Sequence, residues 1–233
     1  MPYPNNYQPP EPSAALKEAL GFSSNYKGSI LDPKNQSANI QQNQSCSFFI
    51  TKLWPGTTVQ VLLQALSCLG PIDRICATSV NPPDHARSFN TTAAKIVTFT
   101  RPGAERLYNL INEGMLVIHG FVAKAVWNRV LVPPQELPEN FSQVLIFSGH
   151  PFFVTEAFLT LLFQQNGIEY DSQVIKTTLH TQFAGTTQDA KIEWQFGSYR
   201  AQASAAKSLV EKKGMAMKVK FGEDPCVKGI GNN

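Results

Sequence analysis

The chain has 233 residues, 42% of them hydrophobic and 16% charged, with 20 Lys and Arg against 17 Asp and Glu. That is enough apolar material for one or two ordinary cores, and the small net charge permits contact with nucleic acid through a local patch without demanding it. There is no membrane-length apolar run, Met1-Pro2-Tyr3-Pro4-Asn5-Asn6 is no secretory leader, and Cys46, Cys68, Cys76 and Cys226 lack zinc-ligand spacing.

Residues 1–44 are rich in Pro, Asn, Gln and Ser and cannot bury enough apolar surface to offset chain entropy, so they read as a disordered tail. A short helix is expected around Ala14 to Leu20. Order begins with the apolar run Cys46 to Leu53, read as a strand that ends at Trp54-Pro55-Gly56. Thr57 or Thr58 can cap a helix that buries Val59, Leu62, Leu63, Leu66 and Leu69 and stops at Gly70-Pro71. A strand from Ile72 to Val80, a Pro-containing loop to Asn90 and a strand from Ala93 to Phe99 follow. A helix carrying Ala104, Leu107, Tyr108 and Ile111 on one face then leads to a last strand, Phe121 to Trp127.

After the Pro-rich stretch Val132 to Glu139, which favours an extended linker, the pattern restarts. Strands are expected at Val144 to Gly149, Val174 to Leu179, Lys191 to Phe196 and Met217 to Phe221. A first helix carries Phe158, Leu161 and Leu162, and a second carries Ala203, Ala206, Leu209 and Val210. The run Ala93 to Phe99 is matched by Ala190 to Phe196, so the chain repeats one plan. The fold class is therefore α+β: two tandem ferredoxin-like β-α-β-β-α-β domains at 45–132 and 142–228. A linker at 133–141, the disordered N-terminal tail and a C-terminal tail at 229–233 complete the chain. Residues 45–132 hold eight basic and four acidic side chains against nine and eight in 142–228, so the basic excess lies in the first domain.

Phe48-Phe49-Ile50-Thr51-Lys52-Leu53 resembles the RNP2 hexamer of the RNA recognition motif, with Phe49 at its base-stacking position. Thr92 to Phe99 resembles the RNP1 octamer in its second half only, with Ala94 and Ile96 where aromatics would stack. Across 46–228 the chain resembles tandem RNA-recognition-motif proteins of filamentous fungi through Ala125 to Arg129, Phe196 to Arg200 and Phe221 to Cys226. The first unit resembles Mei2-like motifs more faintly. The second unit departs further, with Leu145 at the aromatic position and Glu193 projecting outward, and reads as a pseudo-motif.

The resemblance implies weak binding of single-stranded RNA on the first sheet through Phe49, supported by Thr51, Ala94, Ile96 and Lys124. Asn128 and Arg129 lie just past the last strand, and Lys52 and Arg101 at the rim. Strand alternation puts Phe49 and Lys124 on the open face and turns Lys95 inward. In the second unit Phe147, Lys191, Lys218 and Lys220 have outward parity and make a secondary RNA or partner contact. The alternative is a protein-interaction scaffold in a ribonucleoprotein assembly. His85, His119, His150 and His180 have neither metal-ligand nor nucleophile spacing. The sequence thus predicts an intracellular, non-enzymatic protein with no cofactor, no metal, no membrane contact and no small-molecule substrate.

Overall fold

The computed structural model describes residues 13–19, 30–31, 36–168, 174–181 and 188–228. Parts of the expected N-terminal tail, and the expected C-terminal tail at 229–233, lie outside them. Within the N-terminal stretch, α1 (Ala14–Ala19) forms where the short helix was expected. Ile30 is buried, and the Ala38 amide donates to the Leu131 carbonyl at 3.0 Å.

The first unit contains β1 (Ser47–Leu53), α2 (Val59–Ser67), β2 (Ile75–Asn81), β3 (Thr92–Thr98), α3 (Arg101–Asn112), a small hairpin of β4 (Val117–Ile118) and β5 (Phe121–Val122), and β6 (Lys124–Trp127). Its four-stranded sheet has the order β2-β3-β1-β6, with every pairing antiparallel. The second unit repeats the plan with β7 (Val144–Gly149), α4 (Glu156–Gln165), β8 (Val174–Thr181), β9 (Gln188–Gln195), α5 (Ser204–Lys212) and β10 (Met217–Phe221), in the order β10-β7-β9-β8. Both are split βαβ units with two helices on one face of a sheet.

Local chemistry sets the helix starts. The Thr58, Thr100 and Thr155 hydroxyls each accept an amide of the first turn, from Val61, Gly103 and Phe158 respectively. Behind Thr100 stands Asp73, whose Oδ2 accepts both the Thr100 amide and its hydroxyl, at 2.9 and 2.7 Å. Gly103 packs so closely on Asp73 that a Cβ there would overlap it. The first core joins Phe48 and Ile50 of β1 and Ala94 and Ile96 of β3 to Leu62, Leu63 and Leu66 of α2 and Leu107 and Ile111 of α3. Trp127 closes it from the side, stacked with Tyr108 at 4.5 Å and covered by the Arg101 guanidinium at 3.8 Å. In the second core α4 turns Leu159, Leu162 and Phe163 inward with Phe158 partly buried beside them, while the expected Leu161 points out. Leu161 is 53% exposed, because Phe163 takes the central place against Phe147, Trp194 and Phe196.

The two units form one continuous structure. Arg74 spans the linker, donating to the carbonyls of Pro138 and Phe141 at 2.7 Å each and lying over the Phe99 ring. A third apolar cluster joins Cys46, Cys76, Val97 and Phe99 of the first unit to Tyr199 of the second, with Phe141 and Phe221 against it. The amide of Thr78 donates to the Gly197 carbonyl at 2.7 Å, and Ala77 bridges Ser198, so the second unit covers the free edge of β2. The other edge, β6, is covered by the Asn112 side chain, which accepts from the Ala125 amide and donates to its carbonyl.

Past β10 the chain turns back onto the first unit. Asp224 accepts the amides of Ile75 and Cys226, and the Cys226 carbonyl accepts Ile72. The short helix α6 (Pro225–Lys228) packs against α2, and the Cys226 side chain is fully buried in the first core. Residues that read as the end of the second domain therefore supply part of the first domain's core.

Candidate nucleic-acid interface

Antiparallel register defines which side chains share the face of the first sheet turned away from α2 and α3. Phe49 pairs with Lys95 on β3 and Val126 on β6, and Lys95 pairs with Ser79 on β2, so Ser79, Lys95, Phe49 and Val126 make one row across all four strands. Thr51 and Lys124 pair in the next row, where the Thr51 hydroxyl donates to the Lys124 carbonyl at 3.2 Å. On the other side of Phe49, the row holding Ala77, Val97 and Ser47 runs into the apolar cluster beneath Tyr199. The second unit therefore occupies one end of the face and leaves the Phe49 and Thr51 rows beyond it.

Phe49 is half-buried and, among the described residues, belongs to none of the three apolar clusters, whereas its neighbours Phe48 and Ile50 are at 0% exposure. Val126 is 49% exposed, and Lys52, Lys124 and Arg129 are exposed. Lys52 sits at φ 61° where the β1–β3 register shifts, and the Lys124 ammonium donates to the Asn112 carbonyl at 3.1 Å. Partial burial lowers the pKa of Lys95 from its ordinary value.

Several expected contacts are corrected. Ala94 and Ile96 have no exposed surface and pack in the core, while Lys95 between them lies on the open face. β3 carries apolar residues on both faces, so its alternation alone does not reveal which set turns in. Pairing of Phe49 with Lys95 decides it. Asn128 is 4% exposed, donating to the Ser47 hydroxyl at 2.9 Å and accepting the Val130 amide at 3.1 Å, so its polar groups serve the strand end and not a base edge. Arg101 is not a rim contact either. Besides Trp127 it holds Glu105 and the carbonyls of Gln42 and Ser45.

In the second sheet Phe147 is buried at 0% exposure against Phe163, contrary to its expected outward parity, and Leu145 is equally buried. The hydrophobic run Val144 to Phe147 again has apolar side chains on both faces, and β9 supplies the missing constraint by placing Ile192 and Trp194 inward opposite Phe147 and Leu145. The open face carries a row of Lys218, Ser148 and Lys191 and a second row of Lys220, Ile146 and Glu193. Lys218 and Lys220 are exposed, while Lys191 and Glu193 are half-buried. The turn at Gly197 to Arg200 is used internally: Gly197 accepts Thr78, and Ser198 caps Ala201.

Burial pushes the thiols of Cys46 and Cys76 up to about 11, too high for nucleophilic use at neutral pH. The Cys226 thiol is raised further, chiefly by burial. Among the described residues there is no cluster of His, Cys, Asp and Glu that could hold a metal ion, and no helix long and apolar enough to cross a membrane. Lys95 is the open-face residue that sequence alone assigned to the wrong side. Its charge, disfavoured in a core, was the signal that could have reversed the assignment.

No family model matches the chain, and no curated protein matches it. Among solved structures, a Sxl-lethal protein/RNA complex is 16% identical over 76% of this chain and 99% of that one, with a TM-score of 0.29. The N-terminal three RNA-binding domains of the yeast splicing factor Prp24 are 14% identical over 76% of this chain and 63% of that one, with a TM-score of 0.27. An unknown protein from Galdieria sulphuraria is 11% identical over 76% and 99% of the two chains, with a TM-score of 0.24.

Proposed function

We propose that this protein binds single-stranded RNA, weakly, through the open face of its first sheet. The supporting observation is the row Ser79, Lys95, Phe49, Val126: an aromatic ring between a cation and an apolar residue, on the side of the sheet turned away from α2 and α3. Phe49 stacks a base, and Thr51 offers a hydroxyl in the adjoining row. Lys95, Lys124 and Arg129 meet the backbone phosphates. The domain from 45 to 132 carries the site, the stretch 133–141 links it to the second unit, and residues 142–228 form a pseudo-motif that braces it. One ring and few cations give sequence-tolerant contact, not tight readout.

The test is a titration with pools of short single-stranded RNA at two salt concentrations, comparing the wild type with Phe49→Ala and Lys124→Ala. Loss of one stacked base, worth about 1–3 kcal/mol, weakens binding of Phe49→Ala about tenfold. Lys124→Ala reduces the salt slope by about one contact. Equal affinity for all three proteins would remove the site.

A second reading, a scaffold that binds protein within a ribonucleoprotein assembly, is favoured for the second unit by its surface aromatics. Phe152 is 68% exposed and meets Phe153 edge-on at 5.1 Å, with Phe158 in ring contact with both. On the sheet of that unit, Glu193 interrupts the strip of Lys191, Lys218 and Lys220, which suits a protein partner better than a phosphate chain.

A further inference from the structure

Beyond the Thr51–Lys124 row the backbone does something the RNA reading above does not use. The β1–β3 register shifts between Ile50 and Leu53, and Lys52 there takes a left-handed φ of 61° and stands exposed. Trp54 follows. Its indole lies against Gly56, where a Cβ would overlap the six-membered ring, and its carbonyl accepts both the amide and the hydroxyl of Thr57. The indole is thus held in one orientation by a tight turn.

From the other side comes the tip of the β4–β5 hairpin, which lies against β1. Ile118 pairs with Phe121, and the two residues between them, His119 and Gly120, have φ of 48° and 82°, the left-handed pair that a two-residue hairpin turn favours. Asn or Gly would suit the first of these positions better than His. The His119 ring rests on Trp54 with centroids 4.3 Å apart, yet His119 is an exposed residue. The structure therefore displays a ring pair whose lower member is fixed and whose upper member is open to solvent. Lys52 and Lys124 are nearby in the chain and pairing, and neither has a carboxylate partner among the described residues.

We propose that the Trp54–His119 pair is a second nucleobase station, with a base stacking on His119 and Lys52 meeting the adjoining phosphate. It lies just past the end of β1, five residues and about 17 Å from Phe49 at roughly 3.3 Å per residue, with the indole packed on one side against the first core. The inference rests on the RNA reading of the first sheet. Aromatic rings near in sequence to lysines that have no carboxylate partner among the described residues suit a base with its phosphate, because each ring accepts any π-face while the lysines take the backbone charge. The station lengthens the footprint without adding base-edge readout.

Fluorescence polarisation with labelled tetrauridylate and octauridylate tests this on the full chain, with His119→Gly, His119→Tyr and Phe49→Ala beside the wild type. His119→Gly removes the ring and keeps the left-handed turn, so folding is preserved, and equal thermal midpoints check that. The expected result is that His119→Gly binds octauridylate about tenfold more weakly and tetrauridylate unchanged. His119→Tyr restores octauridylate binding, and octauridylate quenches tryptophan emission less in Trp54→Phe than in the wild type. Phe49→Ala weakens both oligonucleotides. If His119→Gly binds octauridylate as the wild type does while Phe49→Ala fails, the station is refuted and the Phe49 site stands. If His119→Gly loses both oligonucleotides together with thermal stability, the ring is a structural contact and the station is refuted. If the wild type binds neither oligonucleotide, the station and the RNA reading fall together.

Discussion

Asp224 offers a quantitative check on how the chain end is held. Its carboxylate is 1% exposed and accepts two backbone amides, those of Ile75 at 2.8 Å and Cys226 at 2.9 Å. Burial raises its pKa from 3.8 to about 6, and the two amide bonds only partly oppose that rise. Asp73 lies within electrostatic range and adds to the increase. A carboxyl whose folded pKa exceeds its unfolded one binds its proton more tightly in the folded state. Its contribution is therefore fully present below about pH 4 and lost as pH climbs through 6. At 1.36 kcal/mol per unit the change is about 3 kcal/mol across that window. Asp224→Asn cannot titrate and loses one acceptor, a cost of about 1–2 kcal/mol at every pH. Urea unfolding of both proteins at pH 4, 5, 6 and 7 isolates the group, since all other titrations cancel in the difference. The variant should be clearly less stable at pH 4 and should overtake or match the wild type by pH 7. A difference that stays constant with pH, or widens as pH rises, would refute the account of a buried carboxyl straining the latch.

Tyr199→Ala removes a 7%-exposed ring from between the two units, and a loss of about 3 kcal/mol with separation of a single calorimetric transition into two is expected. Gly103→Ala forces a Cβ into Asp73 and breaks the Thr100 cap; a fall in thermal midpoint of several degrees follows, whereas Gly70→Ala, at a glycine with open space around it, should report only the left-handed φ cost. Asn112→Ala uncovers the edge of β6, so light scattering on standing should rise together with a stability loss of about 1–2 kcal/mol.

Much of the scaffold is legible in residue order. Threonine caps before apolar repeats mark α2 and α4, the three-and-four spacing of Ala104, Leu107, Tyr108 and Ile111 marks α3, and the matched runs at 93–99 and 190–196 mark equivalent strands. Phe49 is assigned to the right face because Phe48 and Ile50 share the opposite parity and together suit the core. Where both faces of a strand are apolar, as in β3 around Ala94 and β7 around Phe147, alternation has two equally good solutions and does not separate the inward set from the outward one. Asn128 shows a different failure: polarity suggested an exposed contact, and burial became affordable only because Ser47 and Val130 complete its hydrogen bonds.

Sequence by itself determined the element types, their repeated order and the membership of most of both cores, because these follow from short-range periodicity and capping. Only the tertiary structure decided the inward faces of β3 and β7, the return of Cys226 to the first core, the covering of one sheet end by Tyr199 and the meeting of Trp54 with His119. Those outcomes depend on contacts between residues tens of positions apart, which leave no periodic trace in the segments that make them.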